Sequence, residues 1–360
     1  MAARAEVPAF HAFRRTLLGG IAAIAALFFA DTFLAKTERA ESHVEAERHY
    51  QSGRRFMQSG QSARAVEEFR SALAVERENE DYQLALGQGL LAAGSPTEAE
   101  ATLNALLQEN PFGGPPNLAM ARVMVKEGKL ADAASYYHRA IYGQWKENAG
   151  ADQLRVRFEL VELLSRQDSK EALLAELLPL QDEAPGDFAT QERLGRWFLM
   201  AGSGARAAPI FQEILRREPR NSAAHAGLGE AAFVRGNYRN ARNEFQAALR
   251  LGSEDPDIRA RFELCEQILL LDPTLRGLGP EEQSRRGQRL AQLALSSLMQ
   301  CAGEAPSIKA DEARLRGKLS YDDRLDLAEE LWRTRQTDCK QAILPTEEPL
   351  AIVLSGISQK

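Results

Sequence analysis

The sequence of 360 residues predicts an all-α fold: a right-handed solenoid of helix–turn–helix repeats, preceded by one transmembrane helix and followed by a C-terminal helical cap region. Three observations lead to this prediction. Segments of about 34 residues recur with the same spacing of small, apolar and turn-forming residues. Residues 16–35, a stretch of 20, are mainly apolar and contain a single charged residue, Asp31. No alternating, strand-like run occurs before the C-terminal tail.

The repeat is clearest in Ser222–Asp255. Its first half contains Gly229, its middle contains Gly236, and Ala241 and Phe245 follow at helical spacing. This pattern predicts two amphipathic helices joined by a glycine turn, because glycine adopts the left-handed conformation at little cost. The small residue in the first helix would allow the second helix to approach closely, and the phenylalanine would fill the space between one repeat and the next.

The same spacing recurs throughout residues 46–255. A short insertion at 148–152 follows the third segment. The fourth segment is expected to be irregular, because residues 167–169 replace its glycine turn and Pro179 interrupts its second helix. The six predicted repeats are 46–79, 80–113, 114–147, 153–187, 188–221 and 222–255.

The remaining segments differ in composition from the repeats. The order predicted for them is a cytoplasmic tail and transmembrane anchor (1–35), a charged connector (36–45), a capping helix (256–273), a C-terminal helical region (274–344) and an apolar tail (345–360). The capping helix would cover the last apolar face of the array. The tail is expected to pack on the C-terminal helices, although a partner or the groove of the repeats could also receive it.

These segments resemble tetratricopeptide repeats, whose pattern W-x2-L-G-x2-Y…A-x3-F…A…P is matched best by 188–221 and 222–255. The tryptophan of the pattern is absent from all five regular segments. The residues in its place are His49, Gln83, Asn117, Gln191 and His225. The resemblance implies a scaffold that binds a protein or peptide in the concave groove formed by the first helices.

The resemblance also places individual residues on that groove. Its four arginines would suit an acidic segment or a C-terminal carboxylate, because a guanidinium group pairs with a carboxylate through two hydrogen bonds. The alternative is that they are ordinary solvated arginines paired with nearby glutamates. The carboxylate-clamp pattern of some family members is not reproduced. The predicted groove residues are Tyr50, Arg54, Leu84, Gln88, Leu118, Arg122, Arg157, Val161, Arg196, Leu199, Glu230 and Phe233.

Composition argues against several other functions. The net charge of −6 does not favour binding of nucleic acid. The five histidines are scattered, with no nucleophile motif beside them, so we predict no enzymatic activity, no cofactor and no small-molecule substrate. The three cysteines form no C-x-x-C pair, which argues against a metal site. The prediction is therefore an interaction scaffold or adaptor, and the alternative is a structural subunit of a larger envelope or secretion assembly whose groove is permanently occupied.

Residues 16–35 are just long enough to cross the hydrocarbon core of a bilayer. We expect an uncleaved anchor, because a cut after Ala30 or Ala35 would place phenylalanine where signal peptidase needs a small residue. Arg14 and Arg15 before the span favour a cytoplasmic N-terminus, which puts the repeats in the periplasm or outside the cell. Secretion after signal cleavage is the alternative, and the arginine pair also loosely resembles a twin-arginine signal.

That location would permit a disulfide. We predict a bond between Cys301 and Cys339, because each ends a predicted helix of the C-terminal region. Cys265 is expected to be a small buried residue of the capping helix. If the topology were inverted, all three cysteines would be reduced.

Overall fold

The computed structural model describes residues 40–146, 148–167, 169–302, 306–339 and 342–358, together with Thr32, Lys36 and Thr37. The predicted membrane span therefore lies, apart from Thr32, outside the described residues. None of the helices within these ranges is both long enough and apolar enough to span a bilayer. The chain divides into two compact units, unit 1 (Met1–Leu163) and unit 2 (Leu164–Lys360).

The all-α prediction is confirmed: the described residues form helices and no strand. The helices of unit 1 are α1 (40–58), α2 (Ser62–Val75), α3 (Glu80–Ala92), α4 (Pro96–Glu109), α5 (Gly114–Lys126), α6 (Leu130–Ile141) and α7 (Ala149–Ser165). The last two residues of α7 belong to unit 2. In unit 2 they are α8 (Lys170–Glu183), α9 (Phe188–Met200), α10 (Gly204–Arg217), α11 (Ser222–Val234), α12 (Tyr238–Arg250), α13 (Pro256–Leu271), α14 (Pro280–Ala302), α15 (Pro306–Arg316), α16 (Tyr321–Asp338), a 3-10 turn (Pro345–Glu347) and α17 (Glu348–Ile357).

Glycine turns join the two helices of each regular repeat. At the α11–α12 turn, the Gly236 amide donates to the carbonyl of Phe233 (2.8 Å) and the Asn237 amide donates to that of Ala232 (2.9 Å). This pattern closes a helix with one residue in the left-handed region, which strains any side chain but glycine's. The turn glycines are Gly60, Gly94, Gly128, Gly202 and Gly236, with φ between 72° and 85°.

Close helix packing depends on glycines that face large side chains. A Cβ atom on Gly229 would lie 2.7 Å from the ring of Phe245 in the same repeat. Phe211 has such a glycine on each side: Gly195 in its own repeat and Gly227 in the next. Since Phe211 is fully buried, its ring fills the space between consecutive repeats, as the sequence pattern predicts.

The missing tryptophan is replaced by a recurring polar contact. In four repeats, the side-chain nitrogen at this position lies within hydrogen-bonding distance of the carbonyl oxygen six residues earlier. The contacts are Gln83 to Arg77 (2.9 Å), Asn117 to Pro111 (3.0 Å), Gln191 to Pro185 (2.9 Å) and His225 to Pro219 (3.2 Å). Each contact ties a first helix to the loop that leads into it through a hydrogen bond.

The fourth predicted repeat is less disturbed than expected. Helix α7 begins at Ala149, within the supposed insertion. Helix α8 continues through Pro179 to Glu183, so the proline does not end it. The backbone around residue 179 therefore accommodates the missing N–H without a break in the helix.

The C-terminal part of unit 2 packs on α13. Helix α13 contacts α12, and α14 pairs with α16. The apolar tail forms α17, which contacts α13, α14 and α16. Its side chains Leu350, Val353 and Leu354 are buried in one cluster with Ile268 and Leu290. Of the three places considered for the tail, the structure shows packing against the C-terminal helices.

In the structure, a disulfide joins Cys301, near the end of α14, to Cys339, the residue after α16, with 5.9 Å between their Cα atoms. Cys265 is a free thiol, and burial raises its pKa to about 12. The compartment decides whether the bond forms in the cell, so the pairing there stays a prediction.

Candidate peptide-binding faces

The face of the first helices in unit 1 includes a cleft of about 240 Å³, here called the Leu84 cleft. Apolar groups from α3, α4 and α5 and the indole of Trp145 line it together with three charged residues, Glu80, Asp81 and Lys146. Lys146 Nζ lies 2.7 Å from Asp81 Oδ1, and this hydrogen bond raises the pKa of Lys146. The apolar residues are Leu84, Leu106, Pro115, Pro116 and Trp145.

The loop after α6 forms one wall of the Leu84 cleft. The Gln144 amide donates to the carbonyl of Phe112 (2.7 Å), and the Gly114 amide donates to the carbonyl of Gln144 (2.8 Å). Trp145 Nε1 donates to the carbonyl of Ala140 (2.9 Å), while its ring lies against the backbone of Gly114. The indole is therefore held in place by the backbone, and the repeat pattern gave no signal for this loop.

Two of the predicted groove arginines in unit 1 have partners within the unit. The guanidinium of Arg122 forms two hydrogen bonds with Glu159, at 2.9 and 2.5 Å, which raise the pKa of Arg122. Tyr137 donates to the same carboxylate (3.3 Å). The Arg54 guanidinium lies 5.8 Å from the centroid of the Tyr50 ring and is exposed. Arg54 can therefore reach a ligand, whereas an acidic ligand would have to displace Glu159 from Arg122.

Three predicted groove residues of unit 1 are not at the surface. Arg157 is 6% exposed, Leu118 is 4% exposed and Val161 is fully buried. Helix α5 contacts α3, α4 and α6, so little of it is left accessible. The expectation that these three residues line an open groove therefore needs correction. Tyr50, Arg54, Leu84, Gln88 and part of Arg122 are the accessible members of the set in this unit.

In unit 2, the predicted residues lie on α9 and α11. Arg196 pairs with Glu192 one turn away, and such an exposed pair contributes little to stability. Leu199 is half-buried. The ring of Phe233 lies 4.6 Å from the Arg261 guanidinium, and it packs against the cluster that contains the buried side chains of α17. Glu230 of α11 and Glu348 of α17 line one cleft, so the tail helix lies beside the predicted groove at this end of unit 2.

Unit 2 has a cleft of about 700 Å³, which contains groove residues that the sequence analysis missed. Carrying the 34-residue register one helix further, into α13, would have identified Ala260, Leu264 and Gln267. The charged lining is acidic except for Arg261, which lies 3.3 Å from Glu230. Burial raises the pKa of Glu230. The acidic residues are Glu230, Asp257, Glu263 and Glu348.

Within the part of the chain that the structure describes, no three His, Cys, Asp or Glu side chains form a group suited to a metal ion. The surfaces described above offer apolar side chains, exchangeable ion pairs and hydrogen-bonding groups, which suit recognition of a peptide.

The tetratricopeptide repeat family matches this chain at residues 50–114 and 193–256. These two segments are therefore tetratricopeptide repeats, a fold that generally mediates protein–protein interaction and is typically non-catalytic.

Curated relatives include Superkiller complex protein 3 of Mus musculus, which is 27% identical over 237 residues, and its Homo sapiens counterpart, 27% identical over 214 residues. The matches cover 62% and 56% of this chain but only 14% and 13% of the relatives, so the chain spans about one seventh of their length.

Among solved structures, YrrB, described as a TPR protein with an unusual peptide-binding site, is 14% identical with a TM-score of 0.44, covering 54% of this chain and 97% of its own. The C-terminal part of a TPR repeat-containing protein from Cytophaga hutchinsonii is 10% identical with a TM-score of 0.45, covering 81% and 96%.

Proposed function

We propose that this protein is a non-enzymatic, membrane-anchored interaction scaffold or adaptor of the cell envelope, which binds a peptide segment of a partner on the faces of its first helices. The observation that carries the proposal is the Leu84 cleft. A leucine, two prolines and a fixed indole form an apolar depression, and Asp81 and Lys146 stand beside it as an exposed ion pair. The pair contributes little by itself and can exchange its partners for the charges of a peptide.

The accessible residues beside this cleft support an extended ligand. Tyr50 and Gln88 offer a ring and an amide, and Arg54 can pair with an acidic group. In unit 2, Arg196 can do the same, because its partner Glu192 is on the same exposed helix surface. We therefore assign the preference for acidic groups to Arg54 and Arg196. Arg122 is bound to Glu159 and Arg157 is buried, so neither is assigned this role.

Replacing Leu84 with aspartate should weaken partner binding about tenfold or more, because the new charge would lose hydration in an apolar cleft. The partner is recovered with the tagged full chain from detergent extracts, identified by mass spectrometry, and its affinity is measured with purified proteins. Leu130→Asp is the matched control, since Leu130 is a partly exposed leucine of unit 1 outside the cleft. Equal affinity of the two variants would show that the partner binds elsewhere.

The location is proposed from residues 16–35 and the preceding arginines: a single-pass anchor with a cytoplasmic N-terminus and the repeats in the periplasm or outside the cell. Reporter domains fused after Glu45 should be active only outside the cytoplasm. The protein should remain in membranes after a carbonate wash. A soluble product that begins near residue 31 or 36 would contradict the anchor and favour secretion after cleavage.

The second candidate function is a structural subunit whose peptide-binding face is permanently occupied. The observation that favours it is that Pro345 and Glu348 line one cleft with Glu230, so a segment of the chain itself lies beside this part of the predicted groove. The two functions differ in stoichiometry. Exchangeable, sub-stoichiometric partners would support the scaffold, and one fixed stoichiometric partner would support the subunit.

A further inference from the structure

Unit 2 has another cleft, of about 690 Å³. It lies between the α11–α12 turn, the end of α13 with the loop that follows, and α17. We call it the arginine cleft, because Arg235, Arg239 and Arg276 belong to its lining. Arg235 follows the last residue of α11, Arg239 lies in the first turn of α12, and Arg276 lies in the loop after α13. Three separate segments of the chain therefore each contribute one arginine to the lining of this cleft.

These three guanidinium groups are available to a ligand. All three residues are exposed, and no carboxylate of the described residues lies within 4.0 Å of them. The one acidic residue in the lining is Asp272, whose Oδ1 already accepts hydrogen bonds from the amide and hydroxyl of Thr274, both at 2.8 Å. The cleft thus carries an excess of positive charge in a chain whose net charge is −6.

Apolar side chains form part of the lining of the arginine cleft. Ile268 and Val353 are buried, and Leu275, Ile352 and Ile357 are half-buried around them. A volume of this size is in the range that accommodates small ligands or a few side chains. A ligand that fits both features has anionic groups at the rim and an aliphatic group inside.

We infer that the arginine cleft binds an acidic peptide segment that carries an aliphatic side chain. Guanidinium groups pair with carboxylates through two parallel hydrogen bonds, and the half-buried side chains of Leu275, Ile352 and Ile357 can contact the aliphatic side chain. A membrane surface fits less well, because three basic residues fall short of the clusters of 4–8 that bind anionic lipids. The inference is independent of the proposed function, since the Leu84 cleft belongs to unit 1.

The test uses a fluorescein-labelled peptide of alternating glutamate and leucine, its glutamine analogue, and the full chain purified in detergent. The double variant Arg239→Ala/Arg276→Ala is compared with Arg220→Ala/Arg250→Ala, which removes two other exposed arginines and so leaves the net charge the same. Fluorescence anisotropy should show the glutamate peptide binding about tenfold more weakly to the first variant and within about twofold of the unchanged protein to the second. The glutamine analogue should bind weakly to all three proteins.

Several outcomes would overturn the inference. Equal losses in the two variants would show a non-specific charge effect, and no loss in either would place the peptide elsewhere. Vesicles of phosphatidylcholine and phosphatidylserine provide the competing ligand. If they recruit the protein through Arg239 and Arg276 while the peptide does not bind, the surface is a membrane contact. Thermal unfolding of both variants should match that of the unchanged protein, because all four side chains are exposed.

Discussion

Replacing Phe211 with alanine should lower the free energy of unfolding of unit 2 by about 3–5 kcal/mol, the range typical of a fully buried phenylalanine. The ring lies between Gly195 and Gly227, two positions with no side chain that could move into the space it leaves. The structure can therefore collapse only a little around the cavity. Urea unfolding, followed by circular dichroism, measures the loss.

Phe188→Ala is the matched control, because Phe188 begins α9 with 36% of its surface exposed. We expect this variant to lose about 1 kcal/mol or less, as is usual for changes away from a core. Gly227→Ala should also destabilise unit 2, because the new Cβ atom would overlap the Phe211 ring. If Phe211→Ala and Phe188→Ala were equally stable, the ring could not be what holds consecutive repeats together.

Replacing Arg335 with alanine should cost about 3–5 kcal/mol, because it would leave the Glu347 carboxylate buried without its ion-pair partner. Arg335 and Glu347 are 4% and 8% exposed, and Arg335 Nη2 lies 2.9 Å from Glu347 Oε2. The Leu344 amide (2.8 Å) and the Ser297 hydroxyl donate to the same carboxylate. Arg333→Ala, on the exposed side of α16, is the control and should change stability little.

The stability of the unchanged protein and that of Arg335→Ala should depend differently on pH. Burial raises the pKa of Glu347, but the hydrogen bonds from Ser297 and Leu344 and the charge of Arg335 outweigh it, so the pKa is lowered from its usual value of 4.5. In the unchanged protein this carboxylate therefore stabilises the fold above about pH 4.5, and that stability is lost as the pH falls through the lowered pKa.

In Arg335→Ala, the carboxylate keeps its donors Ser297 and Leu344 but loses the guanidinium, so its pKa should be higher than in the unchanged protein and the penalty of the substitution should shrink on acidification. Denaturant titrations at several pH values measure both trends. The double change Arg335→Met/Glu347→Leu should recover much of the loss, because it removes both charges from the interior. A penalty that is independent of pH would mean that lost packing, and not the unpaired charge, causes the destabilisation.

Much of the helical arrangement could be predicted from sequence because its determinants are local. A glycine with positive φ ends a first helix, and a helical glycine marks where a large side chain approaches. Helices α3, α5, α9 and α11 begin at Glu80, Gly114, Phe188 and Ser222, the first residues of their 34-residue segments.

The candidate sites were predicted less well, because accessibility depends on contacts that the period does not encode. Arg157 and Leu118 occupy groove positions in the repeat register, yet neighbouring elements bury them. The Arg335–Glu347 pair lies outside the repeats, so no periodic pattern could reveal it. The indole of Trp145 reaches the Leu84 cleft through a loop whose conformation is set by backbone hydrogen bonds with another loop.

The position of α17 has a consequence for how the protein is made. Its side chains complete the cluster around Ile268 and Leu290, although α17 follows α13 by more than 70 residues in the chain. At translation speeds of about 5–20 residues per second, α17 is synthesised on the order of ten seconds after α13, and the apolar surface of α13 and α14 lacks its contacts with α17 until then. During that interval a nascent chain presents an uncovered apolar surface to chaperones, and the last step of folding in unit 2 follows synthesis of α17.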